Sequence, residues 1–327
     1  MIIAVKGLTD ISGIRVGHAS DLQALTGCTV ILCEAGAVAG LDVRGSASST
    51  RAIDALYPQH LVERIHGLVL AGGSAFGLDA VSGVMRYLER RGIGFPTGPA
   101  RVPIVAGAIL YDLAIGSSAV RPTAEMGEAA AQAASDEAVE EGSVGAGAGA
   151  TVGKLFGIER AMKGGAGCCT VPIYGGAQVS VLAVVNAFGD VRDPDSGRLL
   201  AGARQAADRP ELADTAACLM QGQLRGGFGE SHPQNPQNTT LAVVATDAAL
   251  TRVQAQKLAA MAQTGLSRTL SPAHTMFDGD LVFAVSLGDR QADLNALGAA
   301  AAQAVARAVV RGVQKARSLG GVPGLGG

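Results

Sequence analysis

The chain has 327 residues, 48% of them apolar, and a formal charge of −2 at pH 7, so a sizeable core can be buried in one large or two ordinary domains. That charge gives no electrostatic case for nucleic acid or an anionic membrane, and 3% aromatics without a single Trp argue against a base-stacking surface. Cys28, Cys33, Cys168, Cys169 and Cys218 are odd in number and form no C-x-x-C pair, which points to buried reduced thiols rather than a disulfide framework or a zinc site.

Met1–Asp10 lacks the apolar stretch of a signal peptide, and no apolar run reaches bilayer-spanning length, so the expectation is a soluble cytoplasmic protein. Short apolar runs at Thr29–Cys33 and Gly67–Ala71 read as buried strands. Leu78–Arg91 follows a glycine turn and carries Leu78, Val81, Val84, Met85 and Leu88 at helical spacing. Thr123–Glu141 opens after Pro122, is rich in Ala and Glu, and reads as a second helix. Gly142–Gly153, GSVGAGAGATVG, is too glycine-rich for a helix or a regular strand. Val179–Asn186 is again a buried strand. Gly222–Asn238 has little to bury and reads as an exposed loop that stops abruptly at Thr239, where the strand Thr240–Thr246 begins. Helix Leu250–Leu266, strand Leu281–Ser286, helix Leu294–Ser318 and a frayed end, Gly320–Gly327, complete the series. Strands mixed with helices place the fold in the α/β or α+β class, without internal repeats.

Two glycine motifs fail on inspection. Gly149 precedes Gly153-Lys154 by one residue too few for a phosphate loop, and Leu155 stands where that loop needs Ser or Thr. Gly145-Ala-Gly147-x-x-Ala150 lacks the preceding strand of a dinucleotide fingerprint. Ser74 in LVLAGGSAFGLD resembles a nucleophile elbow whose second glycine is missing, so a structural turn is the simpler reading. His18, His60, His66, His232 and His274 show no metal-ligand spacing.

Thr239 is different in kind. A threonine hydroxyl needs a base beside it, and an N-terminal threonine carries one in its own α-amine, whose ordinary pKa of about 7.7–8.0 suits neutral conditions. Thr239 gains that amine only if the bond after Asn238 is cut, and the pliable segment before it leaves room for such a cut. Downstream, Asp278-Gly279-Asp280 places two carboxylates two residues apart, able to face one site and to shift each other's pKa, although Asp-Gly is also a common turn.

Read together, these pieces carry a resemblance. TDISGIRVGH at Thr9–His18, LAGGSAFGLDAVSGV at Leu70–Val84, VPIVAGAILYDL at Val102–Leu113, MKGGAG at Met162–Gly167, VVNAFG at Val184–Gly189 and TTLAVVATDAAL at Thr239–Leu250 occur in the order of the DmpA-type family, over about 7–310. That family contains aminopeptidase/D-esterases, β-peptidyl aminopeptidases and nylon-oligomer hydrolases. The resemblance implies a four-layer α-β-β-α sandwich assembled into homo-oligomers, such as a tetramer of processed units. It implies autocleavage between Asn238 and Thr239 into an α fragment 1–238 and a β fragment 239–327, which stay associated as one hydrolase domain. It gives Thr239 the nucleophile's role, Lys163 and Asn186 those of assisting cleavage and holding the oxyanion, Asp278 and Asp280 that of orienting the nucleophile, and Tyr111 a further place in the site. Threonine with two aspartates is more similar to the nylon-oligomer hydrolases than to the aminopeptidases, which have Ser, Ser and Glu there. Arg44–Arg51, RGSASSTR, departs from the family's more glycine- and proline-rich turn at the substrate rim.

The expected function is hydrolysis of linear amides such as 6-aminohexanoate oligomers, with release of N-terminal residues from short peptides as the alternative. Neither metal nor organic cofactor is expected, and the partners are a small amide substrate and other copies of the chain. Two rivals are a conventional serine hydrolase using Ser74, and a nucleotide-binding module using Gly142–Gly153.

Overall fold

A computed structural model describes residues 6–223 and 238–327. Strand β1 (Arg15–Asp21) leads into β2 (Thr26–Val43), whose 18 residues serve two sheets. The first half of β2 pairs with β1 and with β3 (Ile65–Ala71), and β3 lies parallel to β4 (Val105–Ile109). Farther along the chain, β5 (Ala166–Pro172), β6 (Gln178–Asn186), β7 (Thr239–Ala248) and β8 (Leu281–Arg290) lie side by side in that order. The second half of β2 closes this sheet at the β8 edge. In the second sheet β7 and β8 run parallel and every other pair antiparallel. A register shift between Leu32 and Ala37 marks where β2 passes from one sheet to the other.

Strand alternation then makes the layers. Leu182 and Val184 of β6, Leu241 and Val243 of β7, and Phe283 of β8 meet Ile31, Leu68 and Leu70 in a central core between the sheets. The alternate residues Val181, Val185, Val244 and Val282 face the helices α3 (Arg252–Thr269) and α4 (Leu294–Lys315). On the outside of the other sheet, Val30, Val69 and Val105 pack against Val81, Val84 and Leu88 of α1 (Ala80–Arg90) and Ala130 and Ala131 of α2 (Ala124–Gln132). The result is the four-layer α-β-β-α sandwich that the motifs implied. Thr251 and Gln254 close a reciprocal cap at the start of α3, and Asp293 accepts the Ala296 N–H to start α4. By length and composition α4 could cross a membrane, but 67% of its apolar window is buried inside the protein, as befits a core helix.

Several expectations change in the folded chain. The helix expected over Thr123–Glu141 ends at Gln132, because Ser135 exchanges backbone hydrogen bonds with Val16 and the chain turns extended. Tertiary pairing there outweighs the helix preference of Ala and Glu. Leu78 and Asp79 belong to a short 3-10 turn, and regular helix starts at Ala80. Strands β1, β4 and β5 were not anticipated; their Gly, Ala, Cys and polar residues give no strong apolar run. The tail is packed rather than frayed: Val322 is buried, Gly326 N–H donates to Ala316, and Pro323 accepts the Lys163 N–H at 2.8 Å. Of the exposed loop expected at Gly222–Asn238, residues 224–237 lie outside the described residues. All five thiols are free, and burial pushes Cys28 and Cys33 up to about 12, so they are inert at neutral pH.

Candidate active site

Register brings the distant motifs together. Strand β6 ends where β7 begins, with Asn186 directly opposite Thr239. Strand β8 starts beside β7, and a further parallel bridge joins Asn238 to Asp278. Thr239 shares the face of Leu241 and Val243, so its side chain enters the end of the central core.

The junction itself is closed. Asn238 and Thr239 are 0% and 1% exposed. The Thr239 hydroxyl donates to the Asn238 carbonyl oxygen at 2.5 Å, and the Gly279 N–H donates to the same oxygen at 2.7 Å. The carbonyl immediately before the threonine is therefore polarised by two donors, one of them the threonine's own hydroxyl. Gly279 is required by space: an added Cβ would lie 2.7 Å from Thr239 Oγ1 and 2.9 Å from the Ala47 carbonyl oxygen.

Asp278 and Asp280 flank that glycine and hold backbone near Thr239, at Phe188 and Thr240. Asp278 accepts from the Phe188 N–H at 3.0 Å and from Thr275. Asp280 accepts the Thr240 N–H at 2.7 Å, and its other oxygen accepts from the His274 N–H and faces the ring Nδ1 at 3.0 Å. Burial, then the neighbouring charge of Asp280, raises Asp278 to about 7. The Phe188 and Phe277 rings lie 5.1 Å apart in a small apolar cluster with Leu155.

The segment expected to differ, Arg44–Arg51, straps this end. Arg44 and Gly45 donate to the Asp280 carbonyl oxygen, and Ala47 donates to that of Asp278. A side chain at Gly45 would lie 2.2 Å from the Asp280 nitrogen, so the departure from the family's turn keeps the glycine this contact needs.

Asn186 has a fixed polarity. Its Oδ1 accepts from Lys154 Nζ at 2.8 Å and from the Thr151 N–H at 2.9 Å, the latter a backbone group that can only donate. Its Nδ2 must then point the other way, where it donates to the Tyr111 carbonyl oxygen at 3.0 Å. Tyr111 thus joins the site through its backbone. Lys154 escaped the sequence reading because it only closed a failed phosphate motif; the available signal was a lone lysine set among small and apolar residues. Burial lowers it to about 7, against the pull of Asp278. Lys163 is 0% exposed and donates to the carbonyls of Ala148 and Ala150 at 2.9 and 2.7 Å. Burial lowers it to about 7 as well, opposed by Asp112. Asp112, next to Tyr111, is itself raised by burial while accepting from the Gly73 N–H and Thr26.

The rivals fare differently from Thr239. Ser74 sits in a strained turn at φ +55°, and among the described residues no hydrogen bond links its hydroxyl to a histidine. Most of Gly142–Gly153 is packed inside the protein, where its carbonyls cradle Lys163. Among the described residues no group of three His, Cys, Asp or Glu side chains is placed to hold a metal ion.

Comparison with known proteins agrees with the motifs. The family description of peptidase family S58 matches residues 6–325. An uncharacterized aminopeptidase of Mycobacterium tuberculosis is 40% identical, covering 98% of this chain and 96% of the relative. A 6-aminohexanoate-oligomer endohydrolase of a Kocuria species is 30% identical, covering 85% of this chain and 74% of the relative. In fold, the chain is similar to the L-aminopeptidase D-Ala-esterase/amidase of Ochrobactrum anthropi, described as a variant of the Ntn hydrolase fold. The TM-score is 0.70 at 19% identity, covering 97% of this chain and 88% of the other. A chain that carries the family's motifs in order, adopts this fold and matches the family almost end to end is a hydrolase of peptide-type amide bonds, and it belongs to peptidase family S58.

Proposed function

We propose that this hydrolase activates itself by cutting before Thr239 and then uses Thr239 as an N-terminal nucleophile. The observation that carries this reading is the Asn238 carbonyl, which accepts from both the Thr239 hydroxyl and the Gly279 N–H. In the uncut chain Thr239 Oγ1 attacks the Asn238 carbonyl carbon, and the Gly279 N–H holds the oxyanion. The C–N bond breaks, its nitrogen takes a proton and becomes the Thr239 amine, and an ester links Asn238 to the threonine oxygen. Asp278 and Lys154, both brought to about 7, are the neighbouring groups suited to moving that proton. Water hydrolyses the ester, leaving fragments 1–238 and 239–327.

The freed threonine attacks substrate amides in the same way, with its own amine as base and Asn186 Nδ2 as oxyanion donor. Thr239 is 1% exposed before the cut, so turnover depends on processing. Intact mass and N-terminal sequencing test this first: the smaller piece begins Thr-Thr-Leu-Ala. A fully active chain that stays intact at 239 overturns it.

The substrate reading rests on occupied carboxylates. Asp278, Asp280 and Asp112 are all buried and engaged by protein donors, which leaves none of them to hold a substrate ammonium. We therefore favour internal amides of linear aliphatic oligomers, the substrate class in the name of the Kocuria relative. The more similar mycobacterial relative, called an aminopeptidase, supports the second reading, removal of N-terminal residues. Comparing an oligomer with its N-acetylated form separates the two: similar rates favour the endohydrolase, and complete loss on acetylation favours the aminopeptidase.

A further inference from the structure

We propose that His274 is a positioning residue for the nucleophile, acting through Asp280 on the Thr240 N–H. The inference rests on the reading of Thr239 as nucleophile and adds a residue to that site. Asp280 Oδ1 accepts the Thr240 N–H at 2.7 Å, so this carboxylate fixes the peptide that follows the nucleophile. Its other oxygen is served by His274, from the backbone N–H at 3.1 Å and the ring Nδ1 at 3.0 Å.

The backbone of His274 has φ +56°, a left-handed conformation uncommon outside Gly, Asn, Asp and His. That conformation directs the backbone nitrogen and the ring at one carboxylate oxygen. The far ring nitrogen, Nε2, lies 3.1 Å from Ser267 Oγ in the last turn of α3. A carboxylate oxygen accepts, so Nδ1 is the donor toward Asp280, while Nε2 faces the Ser267 hydroxyl, which also lies 3.4 Å from the Gln263 carbonyl oxygen. The imidazole is thereby pinned at both nitrogens between a core helix and the carboxylate. Two backbone N–H groups and the ring Nδ1 therefore converge on Asp280.

The test exploits the two ring nitrogens. An Asn amide nitrogen falls close to Nδ1 and tolerates positive φ, whereas a Gln amide nitrogen falls close to Nε2. His274→Asn, His274→Gln and His274→Ala are compared with the full-length wild type. The readouts are the rate of appearance of the Thr239 fragment, kcat and KM on a 6-aminohexanoate oligomer and a short peptide amide, and Tm. The expected result is that His274→Asn stays near wild type. His274→Gln and His274→Ala lose about ten- to a hundred-fold in kcat with KM little moved, the size of one lost hydrogen bond to a charged group. Equal behaviour of the Asn and Gln variants, whether both active or both impaired, overturns the proposal. A wild type that is active yet never yields the Thr239 fragment overturns the nucleophile reading instead, so the two failures are distinguishable.

Discussion

The same strands build two very different places. From Leu241 to Ala245, β7 is wholly buried and apolar, and from Leu281 to Val285 so is β8. A few residues upstream, Asn238–Thr240 and Asp278–Asp280 are just as deeply buried, yet they carry hydroxyls, an amide and carboxylates, with Lys154 and Asn186 beside them. Burying such groups costs free energy unless each is hydrogen-bonded, and a fold selected for stability alone would fill these positions as it fills the middle of the strands. The contrast teaches that the strand mid-sections bear the stability while the strand ends spend some of it on reactivity.

The largest effect that sharpens this contrast is at Thr239. Thr239→Ala abolishes processing and turnover while the chain still folds, as intact mass, an amide-hydrolysis assay and thermal unfolding would record together. Thr239→Ser keeps a hydroxyl and still processes. An alanine variant that is cleaved before 239 would break the assignment.

Gly279→Ala comes next. Its Cβ would press on Thr239 Oγ1 and the Ala47 carbonyl and displace the N–H that holds Asn238. Self-cleavage should slow by about a hundred-fold or more, the scale for losing one oxyanion donor. A time course of fragment appearance checks it, and an unchanged rate argues against Gly279 as donor. Leu241→Ala, two residues along β7 from Thr239, should do the reverse. It should cost about 2–5 kcal/mol of unfolding free energy with kcat of the folded enzyme little altered. Denaturant titration set beside active-site-normalised kinetics distinguishes the two regions.

The most gradual effect is electrostatic. Lys154 and Lys163 are lowered from 10.5 to about 7 in the folded chain, so between those values the unfolded state binds more protons than the native one. Stability contributed by these groups therefore rises as pH increases from about 7 toward 10, by up to about 1.4 kcal/mol per pH unit per lysine. Asp278, raised from 3.8 to about 7, acts oppositely below that range: its native form binds the extra proton, and its contribution falls as pH rises from 3.8 toward 7. Replacing either lysine with Met should flatten the alkaline limb of a stability–pH curve measured against wild type. An unchanged slope would contradict the buried-lysine account. On the proposed mechanism activity should rise through neutral pH, as a Thr239 amine freed by cleavage loses its proton.

Sequence alone determined which residues pack and in what alternation, since apolar runs such as Val179–Asn186 and Leu281–Ser286 become strands through their own composition. It also located the junction at Asn238–Thr239 and the Asp278-Gly279-Asp280 motif, because ordered motifs survive in the linear chain. Only the tertiary structure decided what each group touches. Ser135 left its expected helix to pair with Val16, and the tail packed onto Lys163. Lys154 joined Asn186 across 32 positions, while Lys163 turned to the carbonyls of the glycine-rich segment. His274 reached Asp280 through a left-handed turn that no local preference announces. The reason is physical: burial and alternation follow from neighbours in sequence, whereas the partners of a buried charge are fixed by strand register and by loops that cross between layers.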